Sequence, residues 1–483
     1  MSTKAAKPAS PLTEEEKARS RAFRKIEFGY AAGSIGHIPT TIISSFFLTF
    51  CTYVLELDPA WMAGLFFVGR IWDGINDPLI GSLPDRWKIG KSGDRFKPYM
   101  KVFMGPFIIT AIMCFIRVPF DPGSLALYAW IAFVYIASET CNTGVYMAYN
   151  AMNSVVTSDP AERTKLARGK TVASAITGII MGILGPLFCF DDNNQILPNR
   201  VLVLAIGAGI LTFFMYIIYF KWVPENIHAA PPKQEKYSYG HALKNIVSNR
   251  NLLGMMLVAF GLAINAGNST VKPYLFMEYY KNVKVTSLGT IAMPFIIVCI
   301  ILLPKLVKKV GTRKLIVVSL ILNLICRTLI ALFPIQNVVA FMFIESFIAL
   351  FILPIGTINM VLTANAIDYG EWKTGERNDG ATFAIYTFAG KIGVAISSAA
   401  AALGLSLVGY VPGLNVVQSE ATVTGIRWLY VLIPVVGAAI ILLAMGLIYN
   451  LDDKKLEEIH VELKQRRAEG SDAPAAVPVA EAQ

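Results

Sequence analysis

The sequence predicts an all-α membrane protein with twelve transmembrane helices arranged as two bundles of six. The first observation is the composition, since 55% of the residues are hydrophobic, 16% are charged and the mean hydropathy is +0.54. The second is that the apolar residues fall in runs of roughly 20 to 28, which is long enough to cross a hydrocarbon core as helices. The third is a long polar stretch near the middle of the chain. An ordinary soluble protein would carry more charge, and barrel strands would be shorter.

The apolar runs define the predicted spans in order along the chain. In lipid, helices of this length satisfy every backbone N–H and C=O within one segment. The first six predicted spans are 28–55, 60–83, 99–118, 125–155, 170–190 and 200–222. The second six are 252–279, 287–307, 314–334, 338–364, 380–409 and 425–449. An even number of spans places both termini on the same side of the membrane.

The distribution of Lys and Arg indicates which side that is. Basic residues crowd the amino-terminal segment, the loop at 86–97 and the loop at 305–314. By the positive-inside rule these segments are cytoplasmic, which predicts a multi-pass inner-membrane protein with both termini in the cytoplasm. The net charge of +10 follows from this topology. It also suits anionic membrane lipid, whereas nothing in the sequence resembles a nucleic-acid-binding motif.

The spans and polar segments together predict five regions. These are a cytoplasmic segment at 1–26, a six-helix bundle at 27–222, a cytoplasmic linker at 223–250, a second six-helix bundle at 251–450 and a cytoplasmic tail at 451–483. A weak internal repeat relates TSDPAERTKLARGK of the first half to AIDYGEWKTGERNDG of the second, since both place acidic residues before basic ones. Two related six-helix bundles around a midplane site are the major facilitator architecture, in which one bundle rocks against the other.

The strongest candidate site lies in the second span, within RIWDGINDPLIG. Arg70, Asp73, Asn76 and Asp77 are spaced so that all four side chains follow one helical face. An ionisable group inside the bilayer costs at least about 2.5 kcal/mol, so such residues need partners or a function. Two carboxylates with an amide oxygen can bind a small hard cation. The alternative is a structural salt-bridge network that joins helices.

The fourth span supplies a second wall for this site. Glu139, Asn142 and Thr143 occur at helical spacing, and the neutral oxygens of Asn76 and Thr143 favour Na⁺ or Li⁺ over H⁺. For Glu139, pairing with an arginine such as Arg70 is an equally good interpretation.

Lys391 lies deep in the eleventh span, within YTFAGKIGVAIS. The small residues around it would let another helix approach closely. We expect its ammonium to pair with Asp73 or Asp77 when the cation is absent, or to bind a substrate hydroxyl. Three further intramembrane charges, Lys272, Arg327 and Glu345, have no partner that the sequence identifies.

These motifs resemble those of the glycoside–pentoside–hexuronide:cation symporter family. The resemblance is carried by RIWDGINDPLIGSLPDRW, KSGDRFKPYM, AIDYGEWKTGERNDG and the AGK of the eleventh span, and extends over nearly the whole chain. It implies that Asp73 and Asp77 are the cation-site acids, Asn76 the amide ligand and Thr143 the hydroxyl ligand, with Lys391 as the family's lysine. The implied coupling ion is Na⁺ at Asp73 and Asp77, with H⁺ or Li⁺ as alternatives.

The sugar side of the site departs from the family pattern. Ile38 stands where a first-span acid is found, with His37 before it, and Tyr146 stands in place of a fourth-span acid. Asn150 replaces an aromatic residue that stacks on the sugar, and Lys170 lies where a binding-site arginine occurs. The galactoside specificity known in the family therefore should not be carried over to this chain.

The remaining candidates for substrate contact are hydroxyls, amides and rings. Sugars are bound by hydrogen-bonding groups at the ring edge and by aromatic faces against their C–H surface. The candidates are Tyr30, His37, Thr40, Tyr146, Tyr149, Asn150, Asn265, Asn268, Tyr386 and Thr387. Interhelical packing is the alternative role for each, and for His37 a helix-capping role near a kink at Pro39 is an equally good interpretation. The loss of two acids beside Lys170, Lys391 and His37 suggests an anionic substrate such as a hexuronide.

The expected function is cation-coupled symport of a sugar or glycoside, with the bundles closing around the substrate. Cytoplasmic charges are expected to act as gates, the alternative being that they are solvated loop charges. The gating candidates are Arg86, Arg95, Asp368, Glu371 and Arg377. The expected partners are a small-molecule substrate and membrane lipid, without an obligatory protein partner or a nucleic acid.

Two other functions remain open from the sequence. A lysophospholipid or other amphiphile carrier would be indicated by an apolar side opening between helices. A sensor that binds solute without moving it would be distinguished only by the absence of flux. An enzyme is not expected, because the sequence contains no nucleophile–base pair, zinc-ligand spacing or phosphate loop.

Overall fold

A computed structural model describes residues 14–87, 89, 93–157, 159–226, 249–375, 379–414 and 416–471. Helices make up the regular structure of these segments, so the predicted all-α class is confirmed. Most of the linker predicted at 223–250 and the last part of the tail lie outside the described residues.

The chain divides into two compact units. The first comprises the described parts of Met1–Phe50, Ile71–Cys189 and Ile196–Pro232, and the second those of Cys51–Arg70, Phe190–Gln195 and Lys233–Gln483. The helices of the amino-terminal half are α1 (Glu14–Ile35), α2 (Ile38–Thr49), α3 (Pro59–Arg86), α4 (Lys97–Met113), α5 (Leu125–Val156), α6 (Pro160–Cys189) and α7 (Pro198–Trp222). Residues 59–70 of α3 group with the second unit.

The carboxy-terminal half contains eight further α-helices in the described residues. They are α8 (Arg250–Ala266), α9 (Asn268–Tyr274), α10 (Met293–Val310), α11 (Thr312–Leu332), α12 (Val338–Thr374), α13 (Asp379–Leu407), α14 (Glu420–Leu443) and α15 (Asp453–Ser471). Short π-helical turns extend α2, α9 and α14, and a 3-10 helix at Lys284–Ala292 precedes α10.

Eight helical segments in the described residues are long and apolar enough to cross a membrane. The other four predicted spans, 60–83, 99–118, 125–155 and 287–307, each coincide with a helix that is not among these eight, which were sought only in the described residues. Helix α4 is 17 residues long, and α3 carries Arg70, Asp73 and Asp77 within its apolar run. The charged residues of α3 therefore lower its hydropathy in the segment that contains the candidate cation site.

The spans predicted at 28–55 and 252–279 are interrupted in the structure. The first breaks at Gly36 and His37, with Pro39 in the first turn of α2. Proline suits this position because the first helical N–H groups have no partner within the helix. The second breaks at Gly267, between α8 and α9. Side chains at these breaks therefore belong to helix ends within the predicted spans.

An aromatic core holds α1, α5 and α7 together in the first unit. The rings of Tyr30 and Tyr149 stack with centroids 4.8 Å apart, and each hydroxyl donates to the backbone carbonyl of the other residue. Gly33 permits this packing, since a Cβ atom there would lie 2.6 Å from Tyr219 and 2.7 Å from Tyr149. This core fixes the helices that carry the predicted substrate residues.

The carboxy-terminal helix α15 packs on the end of α12 in the second unit. Leu456, Ile459 and Leu463 are buried in the same core cluster. The indole of Trp372 donates to a carboxylate oxygen of Glu462 at 2.7 Å. The described part of the tail predicted at 451–483 is thus a helix that packs on the second unit.

Candidate functional site

The predicted cation site is built by α3 and α5 of the first unit. Thr143 on α5 donates from its hydroxyl to Oδ1 of Asp77 on α3 at 3.0 Å. The register of the two helices is held one turn away, where the indole of Trp72 donates to the Thr140 hydroxyl at 2.8 Å. Asn76 precedes Asp77 on α3 and is buried. The structure therefore brings two predicted ligands, Asp77 and Thr143, into direct contact.

The remaining members of the predicted cation site are buried on the same two helices. Asp73 is 7% exposed and lies one turn before Asp77 on α3. Glu139 is 9% exposed and lies one turn before Thr143 on α5. Arg70, by contrast, belongs to the second of the two compact units. Its predicted coupling role remains a proposal.

The donor atoms available here are oxygens, the ligands that hard cations prefer. Two carboxylates, an amide and a hydroxyl are offered by Asp73, Asp77, Asn76 and Thr143. Within the described ranges, no group of three or more His, Cys, Asp and Glu side chains is arranged to hold a metal ion.

Five residues predicted to contact substrate form a second cluster in the same unit. The Lys170 ammonium donates to Oδ1 of Asn150 at 2.5 Å and lies 5.4 Å from the ring centroids of Tyr146 and Tyr149. The His37 ring meets Tyr146 edge-on at 5.3 Å between centroids. The structure therefore brings His37, Tyr146, Tyr149, Asn150 and Lys170 together from α2's amino end, α5 and α6.

The charge of this second cluster is positive. No salt bridge to Lys170 is found among the residues that the structure describes. Its ammonium instead contacts an amide oxygen and two aromatic rings, which leaves its charge uncompensated by these contacts. Tyr146 is 44% exposed, so the cluster reaches an open surface of the unit. It offers a cation, a ring face and hydrogen-bonding groups to a ligand.

Helix α5 joins the two clusters. Thr40 at the start of α2 donates to Oδ1 of Asn142 at 3.1 Å, and the next residue, Thr143, donates to Asp77. Adjacent residues of α5 therefore contact the helix that carries His37 and the helix that carries the cation-site acids.

Two supporting residues were not predicted. The Tyr216 hydroxyl lies 3.3 Å from Nε2 of His37, and Glu225 accepts from the backbone N–H groups of Arg95, Phe96 and Lys97 at the start of α4. The feature of the sequence that could have indicated Tyr216 is its polar hydroxyl within an apolar span. A carboxylate at a helix amino terminus is favourable because the N–H groups there lack partners.

The carboxy-terminal substrate candidates do not form one cluster in the second unit. Tyr386 donates to Oδ1 of Asn359 at 2.9 Å, and the Thr387 hydroxyl donates to the carbonyl of Phe383 in its own helix. Asn268 begins α9. Lys391 is half-buried on α13, where Gly393 allows α8 to approach, since a Cβ there would lie 2.6 Å from the Phe260 carbonyl oxygen.

The gating candidates have different surroundings. Asp368 lies 3.2 Å from the His460 ring of α15, a partner that was not predicted. Glu371 accepts the backbone N–H of Gly375 through its carbonyl at the end of α12, and the Arg95 guanidinium lies 5.0 Å from the Phe96 ring centroid. Arg377 and the side chain of Arg86 lie outside the described residues.

Comparison with known proteins identifies the family of the chain and several similar proteins. The family model for MFS/sugar transport proteins matches residues 29–453. The uncharacterized symporter YjmB of Bacillus subtilis is 26% identical over 428 residues, or 87% of this chain and 91% of that protein. A glucuronide carrier protein homolog of Escherichia coli is 25% identical, over 91% of this chain and 95% of its own length. Another Escherichia coli protein, provisionally named a sulfoquinovose importer, is 27% identical, over 91% and 94%.

Solved structures confirm the predicted major facilitator fold. A crystal structure of a D-xylose-proton symporter has a TM-score of 0.59 at 14% identity, and the match covers 87% of this chain and 96% of that one. A crystal structure of the nucleoside transporter NupG has a TM-score of 0.61 at 10% identity, over 89% and 100%. The protein is a multi-pass membrane transporter and not an enzyme. The chain belongs to the family of MFS/sugar transport proteins.

Proposed function

We propose that the protein is a cation-coupled symporter of a sugar or glycoside that carries a negative charge. The observation that carries this proposal is the pair of clusters joined by α5. One cluster offers oxygen ligands to a cation, and in it the Thr143 hydroxyl donates a hydrogen bond to Asp77. The other cluster offers a positive charge to a substrate, and in it the Lys170 ammonium donates a hydrogen bond to Asn150. The hydrogen bond from the Thr40 hydroxyl to Asn142, next to Thr143 on α5, connects the two clusters.

Na⁺ is the proposed coupling ion, with H⁺ or Li⁺ as alternatives. Asp73 and Asp77 supply the charge, and Asn76 and Thr143 supply neutral oxygens. A proton would need only one basic carboxylate, whereas an alkali cation needs several oxygens. The contact of Thr143 with Asp77 supports the alkali cation.

An anionic sugar suits the Lys170 cluster. A carboxylate or sulfonate would replace its hydrogen bonds to water with a hydrogen bond to the Lys170 ammonium. Charge-assisted hydrogen bonds of this kind are stronger than neutral ones. The rings of Tyr146 and Tyr149 can face the C–H surface of a pyranose. The names of two relatives refer to sugars of this kind, since a glucuronide carries a carboxylate and sulfoquinovose a sulfonate.

The proposed coupling is ordered. The cation neutralises Asp73 and Asp77, releases Lys391 from them, and permits closure around the substrate. One positive charge moving through 100 mV supplies about 2.3 kcal/mol, which supports a substrate gradient of about forty-fold before any cation gradient. Glu139 and Arg70 are proposed to balance the charge of the site, and Asn268, Tyr386 and Thr387 to complete the substrate site.

The proposed gates and topology follow the predictions from the sequence. Both termini are placed in the cytoplasm of an inner-membrane protein. The gating residues are proposed to be Arg86, Arg95, Asp368, Glu371 and Arg377. The contact of Asp368 with the His460 ring at 3.2 Å supports this role for Asp368, because it holds α12 to the tail helix α15.

The proposal is tested by uptake into sealed vesicles with and without an inward Na⁺ gradient. Labelled glucuronides and neutral glycosides are compared for the wild type, Asp77→Asn and Asp121→Asn. Asp121 is an exposed loop carboxylate, so its variant removes the same charge away from the site. We expect Na⁺-driven glucuronide accumulation that Asp77→Asn abolishes and Asp121→Asn retains. If no sugar accumulates, either with or without the Na⁺ gradient, the proposal is contradicted.

A second candidate function is a carrier of amphiphiles. It is favoured by an apolar side opening between α10 and α12, lined by Phe295, Met342 and Phe347 among others. The same vesicles loaded with labelled lysophospholipid distinguish the two, since an amphiphile carrier would move the lipid and leave the glucuronide outside.

A further inference from the structure

Two segments of the amino-terminal half belong to the second unit. Cys51–Arg70 runs from the end of α2 into α3, and Phe190–Gln195 begins the connection of α6 to α7. Both segments join an odd-numbered predicted span to the next even-numbered one, as do the connections that follow α9 and α13 in the other half. Because consecutive spans cross the membrane in opposite directions, all four connections lie on one side of it. With both termini in the cytoplasm, as proposed, this is the outer side.

Hydrogen bonds tie the first of these segments to the carboxy-terminal half. The Tyr53 hydroxyl donates to Oε1 of Glu278, in the π-helical turn after α9, at 2.6 Å, and the hydroxyls of Thr52 and Tyr274 lie 2.7 Å apart. The backbone N–H of Gly413, between α13 and α14, donates to the Thr52 carbonyl oxygen at 3.1 Å. All five residues lie within the second unit. The end of α2 is therefore bound to α9 and to the connection of α13 with α14.

The contact of Tyr53 with Glu278 is buried, since the two residues are 4% and 7% exposed. The Tyr53 ring packs against the rings of Tyr274 and Tyr410, with 5.6 Å between centroids in each case. The other carboxylate oxygen of Glu278 lies 3.2 Å from the Lys281 ammonium. Tyr53 thus donates to a carboxylate with a cation on its other side, and a charge-assisted hydrogen bond away from water is stronger than a neutral one.

The contacts of the second segment are closer to the surface. Oδ1 of Asn194 accepts the backbone N–H of Val283 at 2.8 Å, and the exposed carboxylate of Asp192 lies 2.5 Å from the Lys284 ammonium. Exposed ion pairs contribute little, because water and salt screen them. We therefore expect the buried hydrogen bond of Tyr53 to account for most of the attachment.

We propose that these contacts form the outer gate of the transport path, with the hydrogen bond from Tyr53 to Glu278 as its main closing contact. In the major facilitator architecture two six-helix bundles rock against each other, so the connections on one side must separate when the path opens there. Tyr53 comes from the first predicted bundle and Glu278 from the second, so their bond breaks in that movement. The outer placement rests on the proposed topology, whereas the gate itself requires only a transporter of this fold.

The test is hydrogen exchange of the purified full-length protein, read at single backbone amides by mass spectrometry. The amides of Gly413 and Val283 donate to residues of the amino-terminal half. They exchange when the gate opens, at rates that follow the open population. The Tyr410 amide donates within its own half, to the Leu405 carbonyl at 3.0 Å. Exchange at Tyr410 therefore reports local unfolding of the connection instead of gate opening.

Removing the Tyr53 hydroxyl should open the gate. A hydrogen bond to a charged group is worth about 2 kcal/mol, which corresponds to roughly thirty-fold in an equilibrium. We expect Tyr53→Phe to raise the exchange rates of the Gly413 and Val283 amides by that factor and to leave the rate of Tyr410 unchanged. Glu278→Gln keeps an acceptor for the hydroxyl but loses the charge, so its effect should be smaller.

Tyr280→Phe is the matched control, because the Tyr280 hydroxyl donates to the Ile335 carbonyl at 3.0 Å within the carboxy-terminal half. Its loss should leave exchange at Gly413 unchanged. The proposal would be overturned by unchanged Gly413 exchange in Tyr53→Phe, by an equal rise in Tyr280→Phe, or by an equal rise at Tyr410 in Tyr53→Phe. These amides report on the gate whichever cation or sugar is moved, so such a failure is distinct from failure of the proposed symport.

Discussion

At the scale of single residues, Lys170 distinguishes this chain's substrate cluster from a site for neutral sugars. Its ammonium contacts the Asn150 amide and the faces of Tyr146 and Tyr149. These partners position the charge without neutralising it, so a ligand can supply the missing anion. A neutral sugar would gain one hydrogen bond from a charged donor there, whereas an anionic sugar would gain a hydrogen bond between two opposite charges.

Replacing Lys170 with Gln should therefore weaken transport of an anionic sugar selectively. A hydrogen bond to a charged group is worth about 2 kcal/mol, so we expect KM for a glucuronide to rise roughly thirty-fold. KM for a neutral glycoside should change little. Lys165→Gln is the matched control, since Lys165 is an exposed lysine of the same helix. Equal increases in KM for both sugar classes would show that Lys170 acts on packing instead.

Residue types and helical spacing predicted many of these side chains, while their partners required the packed helices. The spacing within α3 placed Asp73, Asn76 and Asp77 on one face, and the spacing within the fourth span offered Thr143, whose hydroxyl donates to Asp77 in the structure. Glu345 and Arg327 were recognised as intramembrane charges, but their mutual contact joins two helices whose rotation the sequence does not specify. The same reason explains why Tyr216 was missed beside His37.

At the scale of helices, the break at Gly267 was not predicted, whereas a kink near Pro39 with His37 as a capping residue was one of the two interpretations of that segment. Both fall within continuous apolar runs, and hydropathy measures length and polarity rather than local backbone direction. Prolines in the sequence were a partial signal, as Pro39 lies just after the first break. Close approach of helices also depends on glycines whose neighbours lie far away in the chain, such as Gly33 against Tyr219 and Tyr149.

Gly33→Ala should consequently destabilise the first unit. Its Cβ would lie 2.6 Å from a Tyr219 ring carbon, so α1 or the rings must shift. Overpacking of a tight core costs about 1 to 3 kcal/mol, which thermal unfolding of the purified protein would report as a lower Tm. Gly207→Ala on α7 is the control, because no atom lies within 4 Å of its added methyl group. Equal or higher Tm for Gly33→Ala would contradict this account of the helix packing.

At the scale of the whole molecule, the fold class, family and transporter function followed from hydropathy, charge distribution and a few motifs. The family match over residues 29–453 and the similar solved structures agree with them. The substrate was less predictable, because selection among sugars depends on a few side chains at one site. The central claim is that cation binding and substrate binding are coupled through the α5 contacts of Thr40 with Asn142 and of Thr143 with Asp77.

The most direct test is the affinity of the purified protein for a glucuronide, measured by calorimetry with and without saturating Na⁺. Coupling free energies of about 1 to 3 kcal/mol correspond to roughly 5- to 150-fold in affinity. We expect Na⁺ to raise the affinity within that range for the wild type, and to have no effect in Asp77→Asn. The same glucuronide affinity with and without Na⁺ in the wild type, under conditions where both ligands bind, would contradict coupling between the two sites.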